Sequence, residues 1–279
     1  MSKRQRELSI RFDIDTIPGV EKGLFNLLKL ARELNVRFTF FVNMGRTFDL
    51  KTALCGTRDD SGDSTGRGVR QTPVEHLGVE GILKTILFNP NLGVEYARQI
   101  RRVLDEGHEL ALHGGMNHPR WQHGLSAMTT AEIRRTLDRA LAVFREYFGR
   151  RPRGFASPGF NSDWRVERIL SEFDFTYHAD SRRGSPRMSD SSPIAVVPCT
   201  LMGPAGVPIV EYLLSQQYNR SDLVRHVMSE LGNKKYACLY GHPVCEGRHY
   251  VLLKDILQRA MEEGWLIRTH HEIVREFVE

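Results

Sequence analysis

The stretch from Glu7 to Thr16 places the strongest constraint on the fold, because it alternates like a strand and ends in acidic residues. Asp13 and Asp15 are separated by one residue, so a regular strand would point both carboxylates to one face. Such a pair is stable when a cation lies between the two groups or when one is protonated. On its own, the stretch is compatible with a solvated turn and with a functional pair. Its strand character comes from apolar residues at every second position: Leu8, Ile10, Phe12 and Ile14.

Segments with strand and helix patterns alternate along the rest of the chain. The range 20–34 has the apolar spacing of an amphipathic helix and 37–42 that of a buried strand, so the chain begins with a βαβ unit. This alternation predicts one α/β domain over residues 1–279, built either as a closed barrel or as a doubly wound sheet. Further strands are predicted at 109–112, 154–157, 175–178, 194–197, 207–211, 236–240 and 266–268. Helices are predicted at 94–106, 129–148, 163–172, 221–231 and 250–263, and a loop at 182–192. At the start of the second of these helices, Thr129 and Glu132 have the spacing of a capping box.

Residues 46–93 interrupt this alternation and are predicted to form an inserted loop or lid. The centre of the insertion, 56–68, is rich in glycine, serine and aspartate, whereas 79–88 is short and strongly apolar. The apolar segment has two interpretations, a lid helix packed on the core or a surface for a lipid-like substrate. An insertion of this length is more often functional than idle.

Composition narrows the class of partners. The net charge of +5 and the pI near 9.1 suit an anionic substrate or a membrane surface. Basic residues are scattered without interleaved aromatics, which argues against nucleic-acid binding. No apolar run approaches the ~20 residues that span a bilayer, and no apolar signal segment follows the basic N-terminus. The four cysteines form no Cys-x-x-Cys pair, so we expect a cytoplasmic protein with reduced thiols. Such a protein could also associate with the inner face of the membrane.

Polar residues follow four of the predicted strands. In parallel α/β folds, functional groups collect at the carboxyl ends of strands. One aspartate and two histidines would suit a divalent metal such as zinc and leave room for water and substrate. A second carboxylate could then act as general base and a separate histidine as general acid. The four groups are Asp13 with Asp15, His113 with His118, Asp180, and His242. Other histidines are expected at the surface, namely His108, His226, His249 and His271.

These residues, in this order, resemble the motifs of the polysaccharide deacetylase (NodB-homology) family. The resemblance runs from about Ser9 to His271, and it is strongest to the family's deformylases of lipid-linked 4-formamido-4-deoxy-arabinose. It implies a single-domain distorted (β/α) barrel with about seven parallel strands. The matching segments are Phe12–Thr16, Leu112–Pro119, Phe155–Phe160, Tyr177–Gly184 and Tyr240–Gly247.

The resemblance also implies a role for each site residue. Asp13 would be the catalytic base, and His242 the general acid with Asp180 orienting it. A divalent metal would be held by Asp15, His113 and His118, with zinc expected first and cobalt, nickel or manganese as alternatives. The third motif would place an oxyanion donor near Gly159, with Phe160 beside it. Two residues are further candidates for substrate contact, Glu246 at the leaving amine and Trp121 in a sugar groove or in the core.

Two departures from the family pattern leave alternatives open. The histidine spacing is one residue longer than usual, so Asn117 stands where the second histidine is expected and His118 follows it. Either residue could complete the metal site. Ala156 stands where many members carry an arginine that positions the base. Arg11 or Arg153 could take over that task.

The leading hypothesis is a metal-dependent amide hydrolase that removes a formyl or acetyl group from an amino sugar. The basic charge and the apolar 79–88 segment suit a polyprenyl-phosphate-linked substrate. A second hypothesis is a sugar- or lipid-binding protein that keeps the fold without catalysis. A third is a related C–N hydrolase that acts on a small cyclic amide.

Overall fold

A single curved sheet contains every strand in the part of the chain that the computed structural model describes, residues 5–48 and 89–278. The strands follow the order β6-β7-β5-β4-β3-β2-β1-β8, and β9 pairs with the first half of β1. All pairs are parallel except β6 with β7. The strands are β1 Arg6–Ile14, β2 Thr39–Val42, β3 Glu109–His113, β4 Gly154–Ala156, β5 Tyr177–His178, β6 Arg187–Met188, β7 Ala195–Val196, β8 Tyr236–Gly241 and β9 Trp265–Arg268.

The sheet closes on itself through a short contact rather than a full ladder. After β7 the chain reaches β8, where the Leu201 amide donates to the Cys238 carbonyl at 2.9 Å. The Cys238 amide in turn donates to the Thr200 hydroxyl at 3.0 Å. Seven parallel strands, β1 to β5 with β7 and β8, therefore surround one interior. This confirms the predicted distorted barrel.

Helices cover the outside of the barrel. A π-helical turn at Gly19–Gly23 precedes α1, and α5 begins with the predicted capping box between Thr129 and Glu132. The helices are α1 Leu24–Leu34, α2 Leu92–Glu95, α3 Ala97–Asp105, α4 His118–Gly124, α5 Thr130–Phe148, α6 Trp164–Glu172, α7 Ile209–Ser215, α8 Arg220–Leu231, α9 Pro243–Glu246, α10 Tyr250–Glu262 and α11 His270–Val278. No helix in the described ranges is both long and apolar enough to cross a membrane.

The two faces of β1 have different neighbours, and this difference positions the site. Leu8, Ile10 and Phe12 join the large apolar core that lies beneath the helices. Arg11 and Asp13 alternate with them, so they point into the barrel. The inner cluster contains tyrosine, alanine and cysteine side chains and is closed by residues of α11. The strand period therefore separates the large apolar core outside the sheet from an interior where Arg11 and Asp13 lie among small and aromatic side chains.

The structure corrects several local predictions. The range 207–211, predicted as a strand, instead leads into α7, because Pro208 precedes the first turn and the apolar spacing continues to Leu213. The predicted loop 182–192 contains the short strand β6, and α11 was not predicted. His108, expected at the surface, is only 6% exposed and accepts a hydrogen bond from the Phe38 amide. The apolar segment 79–88 and most of the 46–93 insertion lie outside the described residues.

Candidate active site

The predicted site residues meet at the carboxyl edge of the sheet. β1 ends at Ile14, β3 at His113 and β8 at Gly241, so these three strands deliver Asp13 and Asp15, His113 and His242 respectively. Parallel pairing brings the three strand ends to the same edge. Residues more than 200 positions apart in the sequence therefore become neighbours.

Asp15, His113 and His118 form a compact group of three side chains that could hold a metal ion. Their ligand atoms all lie within 4.8 Å of one another. The Nε2 atoms of the two histidines are 3.2 Å apart, and Nε2 of His118 is 3.8 Å from Oδ2 of Asp15. One carboxylate and two imidazoles form a donor set that divalent zinc accepts.

The longer histidine spacing is accommodated by the start of α4. Asn117 is the N-cap of this helix, and its side-chain oxygen accepts a hydrogen bond from the Arg120 amide at 3.0 Å. His118 is the first residue of the helix, and its own amide donates to the Arg46 carbonyl at 3.2 Å. The extra residue thus serves as a helix cap. Of the two alternatives, the structure brings His118 into the group with Asp15 and His113.

The protonation of this group fits a cation. His113 donates from Nδ1 to the Ala156 carbonyl at 3.0 Å, which leaves Nε2 as a lone-pair donor toward the group. Burial lowers the pKa of His113 and of His118 to about 4, so both rings are neutral at neutral pH. Oδ1 of Asp15 is buried and has no hydrogen-bond partner among the described residues. A buried acceptor without a partner beside two neutral imidazoles is the environment that a bound cation would complete.

Asp13 is held as a carboxylate by Arg11, two residues earlier on the same strand. Arg11 donates from Nε and Nη2 to the two carboxylate oxygens, both at 2.8 Å, and from Nη1 to the Ala179 carbonyl at 2.7 Å. Burial by itself would raise the pKa of Asp13, but the charge and hydrogen bonds of Arg11, together with the nearby His113 and His242, outweigh burial and lower that pKa to about 2. Arg153, the other candidate, contacts His271 instead. Of the two candidates for positioning the base, the structure therefore pairs Arg11 with Asp13.

His242 lies close to Asp15 and has its own carboxylate partner. Its Nε2 is 3.7 Å from Oδ2 of Asp15 and 3.1 Å from the Tyr240 hydroxyl, and its Nδ1 is 2.7 Å from Oε1 of Glu211. Burial favours the neutral ring, but the carboxylates of Glu211 and Asp15 raise the pKa of His242 well above its ordinary value. His242 is therefore a protonated donor close to the carboxylate of Asp15.

Asp180 does not take the role that the resemblance implied. Its carboxylate accepts hydrogen bonds from the Ser157 amide at 2.6 Å and the Ser157 hydroxyl at 2.9 Å. Asp180 therefore fixes the loop after β4, and Glu211 is the carboxylate at Nδ1 of His242. The reason is geometric, since α7 places Oε1 of Glu211 2.7 Å from Nδ1 of His242, whereas the Asp180 carboxylate is engaged by Ser157 in the loop after β4.

Gly159 and Phe160 lie in the turn after β4. Gly159 has a φ of +61°, and Phe160 also has a positive φ, of +58°. The Phe160 ring lies 4.8 Å from the Arg11 guanidinium and packs edge-on against the Tyr240 ring. Phe160 therefore covers the ion pair that Arg11 forms with the candidate base Asp13. The oxyanion role of Gly159 stays a prediction.

Both further candidates for substrate contact, Trp121 and Glu246, are buried. Trp121 is 1% exposed, packs against Phe155 and donates from Nε1 to the Asn161 carbonyl, so it belongs to the core. Glu246 is fully buried, and its Oε2 accepts a hydrogen bond from the His242 amide at 2.7 Å. Glu246 therefore fixes the backbone of the general-acid candidate His242, and its buried carboxylate does not face a substrate.

Glu211 is the functional candidate that sequence reasoning missed. The strand predicted at 207–211 ends at Glu211, which lies within an otherwise apolar run from Ile209 to Leu214. A single carboxylate among residues with core character was the available signal, because a buried acid needs a partner. The sequence did not indicate that this partner is His242.

Comparisons with known proteins show the family and the fold of this chain. A family model described as polysaccharide deacetylase matches residues 2–178. The chain is 23% identical over 205 residues to the probable 4-deoxy-4-formamido-L-arabinose-phosphoundecaprenol deformylase ArnD of Shewanella sediminis (strain HAW-EB3). That match covers 70% of this chain and 63% of the relative, so the chain spans less than two thirds of that protein's length.

Solved structures show the shared fold. A probable polysaccharide deacetylase from Pseudomonas aeruginosa PAO1 has a TM-score of 0.63 at 16% identity, covering 96% of this chain and 89% of that chain. A CE4 family pseudoenzyme from Bacillus anthracis has a TM-score of 0.59 at 14% identity, covering 97% of this chain and 66% of that chain. At these identities the matches concern the fold alone.

Proposed function

Because the chain belongs to the polysaccharide deacetylase family, we propose that it is an amide hydrolase that removes the formyl or acetyl group from an amino sugar. One observation carries the proposal. Asp13, kept ionised by Arg11, lies 3.7 Å from Nε2 of His113, and His242, kept protonated beside Glu211, lies 3.7 Å from Oδ2 of Asp15, so both border the same group of three side chains. A base and an acid in opposite protonation states are what the hydrolysis of an amide requires at neutral pH.

We further propose that Asp15, His113 and His118 hold a divalent metal, most simply zinc. When bound, such a metal lowers the pKa of water toward about 7 and polarises a carbonyl group. The support is the unpartnered, buried Oδ1 of Asp15 beside two neutral imidazoles. His113 is further fixed by its hydrogen bond to the Ala156 carbonyl.

Asp13 would accept the proton of the attacking water. The two hydrogen bonds from Arg11 use one lone pair on each oxygen and hold the carboxylate plane in the barrel. Oδ2, which is 3.7 Å from Nε2 of His113, therefore faces the place where water would lie. The water oxygen forms its bond to the acyl carbon while its proton passes to Asp13.

His242 would donate a proton to the departing nitrogen. Glu211 at Nδ1 keeps the ring charged and oriented, so the proton on Nε2 points toward the site. Donation from Nε2 allows the C–N bond to break with a neutral amine as the leaving group. The products are formate or acetate and the free amino sugar.

The substrate class can be narrowed by a further proposal. The curated relative is named for a phosphoundecaprenol-linked formamido sugar, and the present chain carries a net charge of +5. A sugar linked to a lipid phosphate suits both observations. Such a substrate would place the enzyme at the cytoplasmic face of a membrane.

The substitution of Asp13 by Asn tests the proposal. We expect Asp13→Asn to abolish amine release from N-formyl and N-acetyl sugars while elemental analysis still finds metal in the protein. Asp174→Asn is a matched control, because Asp174 is an exposed partner of Arg151 far from the site. Near wild-type turnover by Asp13→Asn would contradict the role of Asp13. A metal-loaded wild-type protein that binds these sugars but releases no amine would instead support a non-catalytic binding protein.

A further inference from the structure

A polar cavity of about 360 Å³ lies outside the proposed catalytic centre. It is bounded by the loop after β4, the end of β5, α6 and the segment around β6. We call it the His178 pocket, and its main polar residues are Ser162, Glu167, His178, Asp180, Arg187 and Ser189. None of the functions proposed above uses it.

His178 is the feature of this pocket that calls for a ligand. It is 8% exposed, and neither of its ring nitrogens has a hydrogen-bond partner among the described residues. Nε2 is 3.9 Å from Oε2 of Glu167, and Nδ1 is 3.6 Å from Oδ2 of Asp180. Both distances exceed a direct hydrogen bond. A buried imidazole between two carboxylates therefore lacks a group to complete its contacts.

Glu167 is arranged to receive such a group. Its Oε1 accepts hydrogen bonds from three serine hydroxyls, Ser189, Ser191 and Ser192. Burial would raise the pKa of Glu167, but these hydroxyls outweigh it and lower that pKa. The carboxylate is thus fixed and ionised, and Oε2 points toward His178. A group placed between Oε2 and Nε2 must be able to donate one hydrogen bond and accept or donate another, which a hydroxyl does.

The charge of the pocket limits the class of ligand. Carboxylates outnumber the single arginine along its wall, so an anion would be repelled. The wall is otherwise rich in hydroxyl groups, which belong to Ser162, Ser181, Ser189 and Ser191. Hydroxyl groups beside fixed carboxylates suit a neutral polyhydroxylated ring.

The pocket is physically joined to the catalytic centre. Asp180, on its wall, holds Ser157, and the preceding carbonyl, of Ala156, fixes the ring of His113. The carbonyl of Ala179, just before Asp180, accepts a hydrogen bond from Arg11. The wall of the pocket and the catalytic centre are therefore linked through the short segments 156–157 and 179–180.

We propose that the His178 pocket binds a neutral sugar ring of the substrate through a hydroxyl group that bridges His178 and Glu167. This inference rests on the proposed hydrolysis of an acylated amino sugar. The ring can be the one that carries the amide or a second ring linked to it. Both sources present the same vicinal hydroxyls.

The test compares Glu167→Gln with Glu172→Gln on the same helix. Glu167→Gln removes the charged acceptor in the pocket. Glu172→Gln removes a carboxylate that is paired with Arg134 and Arg168 on the outer surface and leaves the pocket unchanged. The probes are N-acetylglucosamine and its β-1,4-linked disaccharide, with KM and kcat measured separately. We expect Glu167→Gln and His178→Ala to raise KM about 10-fold with kcat nearly unchanged, since a hydrogen bond to a charged group is worth about that factor or more. Glu172→Gln should behave as wild type.

The two probes distinguish the two sources of the ring. A rise in KM for both sugars assigns the pocket to the ring that carries the amide, and a rise for the disaccharide alone assigns it to the second ring. Unchanged KM for both sugars in both pocket variants would overturn the inference.

Titration calorimetry of the metal-loaded wild type separates this inference from the proposed function. Disaccharide binding that Glu167→Gln weakens, without any turnover, would reject hydrolysis and retain the sugar site. Turnover with equal binding by wild type and both pocket variants would retain hydrolysis and reject the sugar site.

Discussion

Arg11→Met tests whether the charge of Arg11 is what allows Asp13 to be an ionised base inside the barrel. Both side chains are buried, at 0% and 3% exposure, and methionine keeps much of the arginine stem while it removes the charge. The pKa of Asp13 falls from 3.8 to about 2 in the folded chain, which corresponds to about 2 kcal/mol of stability at neutral pH. Removal of one partner from a buried pair costs more, about 3–5 kcal/mol, because the remaining charge stays desolvated.

Urea unfolding at pH 7 with excess chelator measures this cost without a contribution from metal. We expect Arg11→Met to lose about 3–5 kcal/mol of unfolding free energy and Arg11→Lys to lose less, since lysine retains the charge but not the two parallel hydrogen bonds. Addition of Asp13→Asn to Arg11→Met should restore about 2 kcal/mol, because the unpaired charge is then gone. The control is Arg153→Met, whose exposed side chain contacts His271 and should change stability by less than about 0.5 kcal/mol.

Two outcomes would refute this reasoning. One is an Arg11→Met variant within about 1 kcal/mol of wild type, a loss typical of an ordinary point mutation rather than of a broken buried ion pair. The other is a double variant no more stable than Arg11→Met alone. Turnover gives a second readout, since a carboxylate that is no longer held by two hydrogen bonds should lower kcat more than it raises KM.

Three further predictions follow from the site and the core. His118→Ala should weaken metal binding by more than about 10-fold, whereas Asn117→Ala should retain metal, as measured by elemental analysis after dialysis. Glu211→Gln should lower the pKa of His242, so the alkaline limb of the rate profile should move about 1–3 pH units toward lower pH. His108→Asn should remove an acid sensitivity: burial lowers the pKa of His108 from 6.5 to about 4, so its contribution to stability is complete above pH 6.5 and falls toward pH 4, by at most about 3 kcal/mol.

Each of these predictions has a control or a contrary outcome. Metal loss from Asn117→Ala alone would reverse the assignment of the ligand loop. Asp180→Asn should leave the alkaline limb in place, because Asp180 bonds to Ser157; a shift as large as that of Glu211→Gln would return the orienting role to Asp180. For His108, the difference in unfolding free energy between wild type and variant must depend on pH between 4 and 6.5, and a constant difference would contradict burial as the cause.

The alternation of apolar residues from Leu8 to Ile14 was sufficient to predict β1 and the common face of its acidic residues. Helix caps and apolar spacing likewise predicted α5 from Thr129 onward, because both depend on residues close in sequence. The regular change between strand and helix patterns indicated a parallel sheet, and parallel strands bring their ends together whatever the details of packing. Asp15, His113 and His242 could therefore be assigned to one site from the chain alone.

Only the tertiary structure decided which side chains pair within that site. Glu211, not Asp180, reaches His242, and Arg11, not Arg153, holds Asp13. The choice of Glu211 depends on how α7 packs against the end of β8, which no local pattern records. Arg11 and Asp13 share one face of β1, so their pairing is compatible with the strand pattern, and the structure was needed to exclude Arg153. Periodicity determines the face on which a residue lies, but a hydrogen bond of 2.7 Å depends on the relative placement of elements that are distant in sequence. The sequence by itself therefore determined the edge of the sheet where the chemistry lies, and tertiary packing decided the partner of each charged group there.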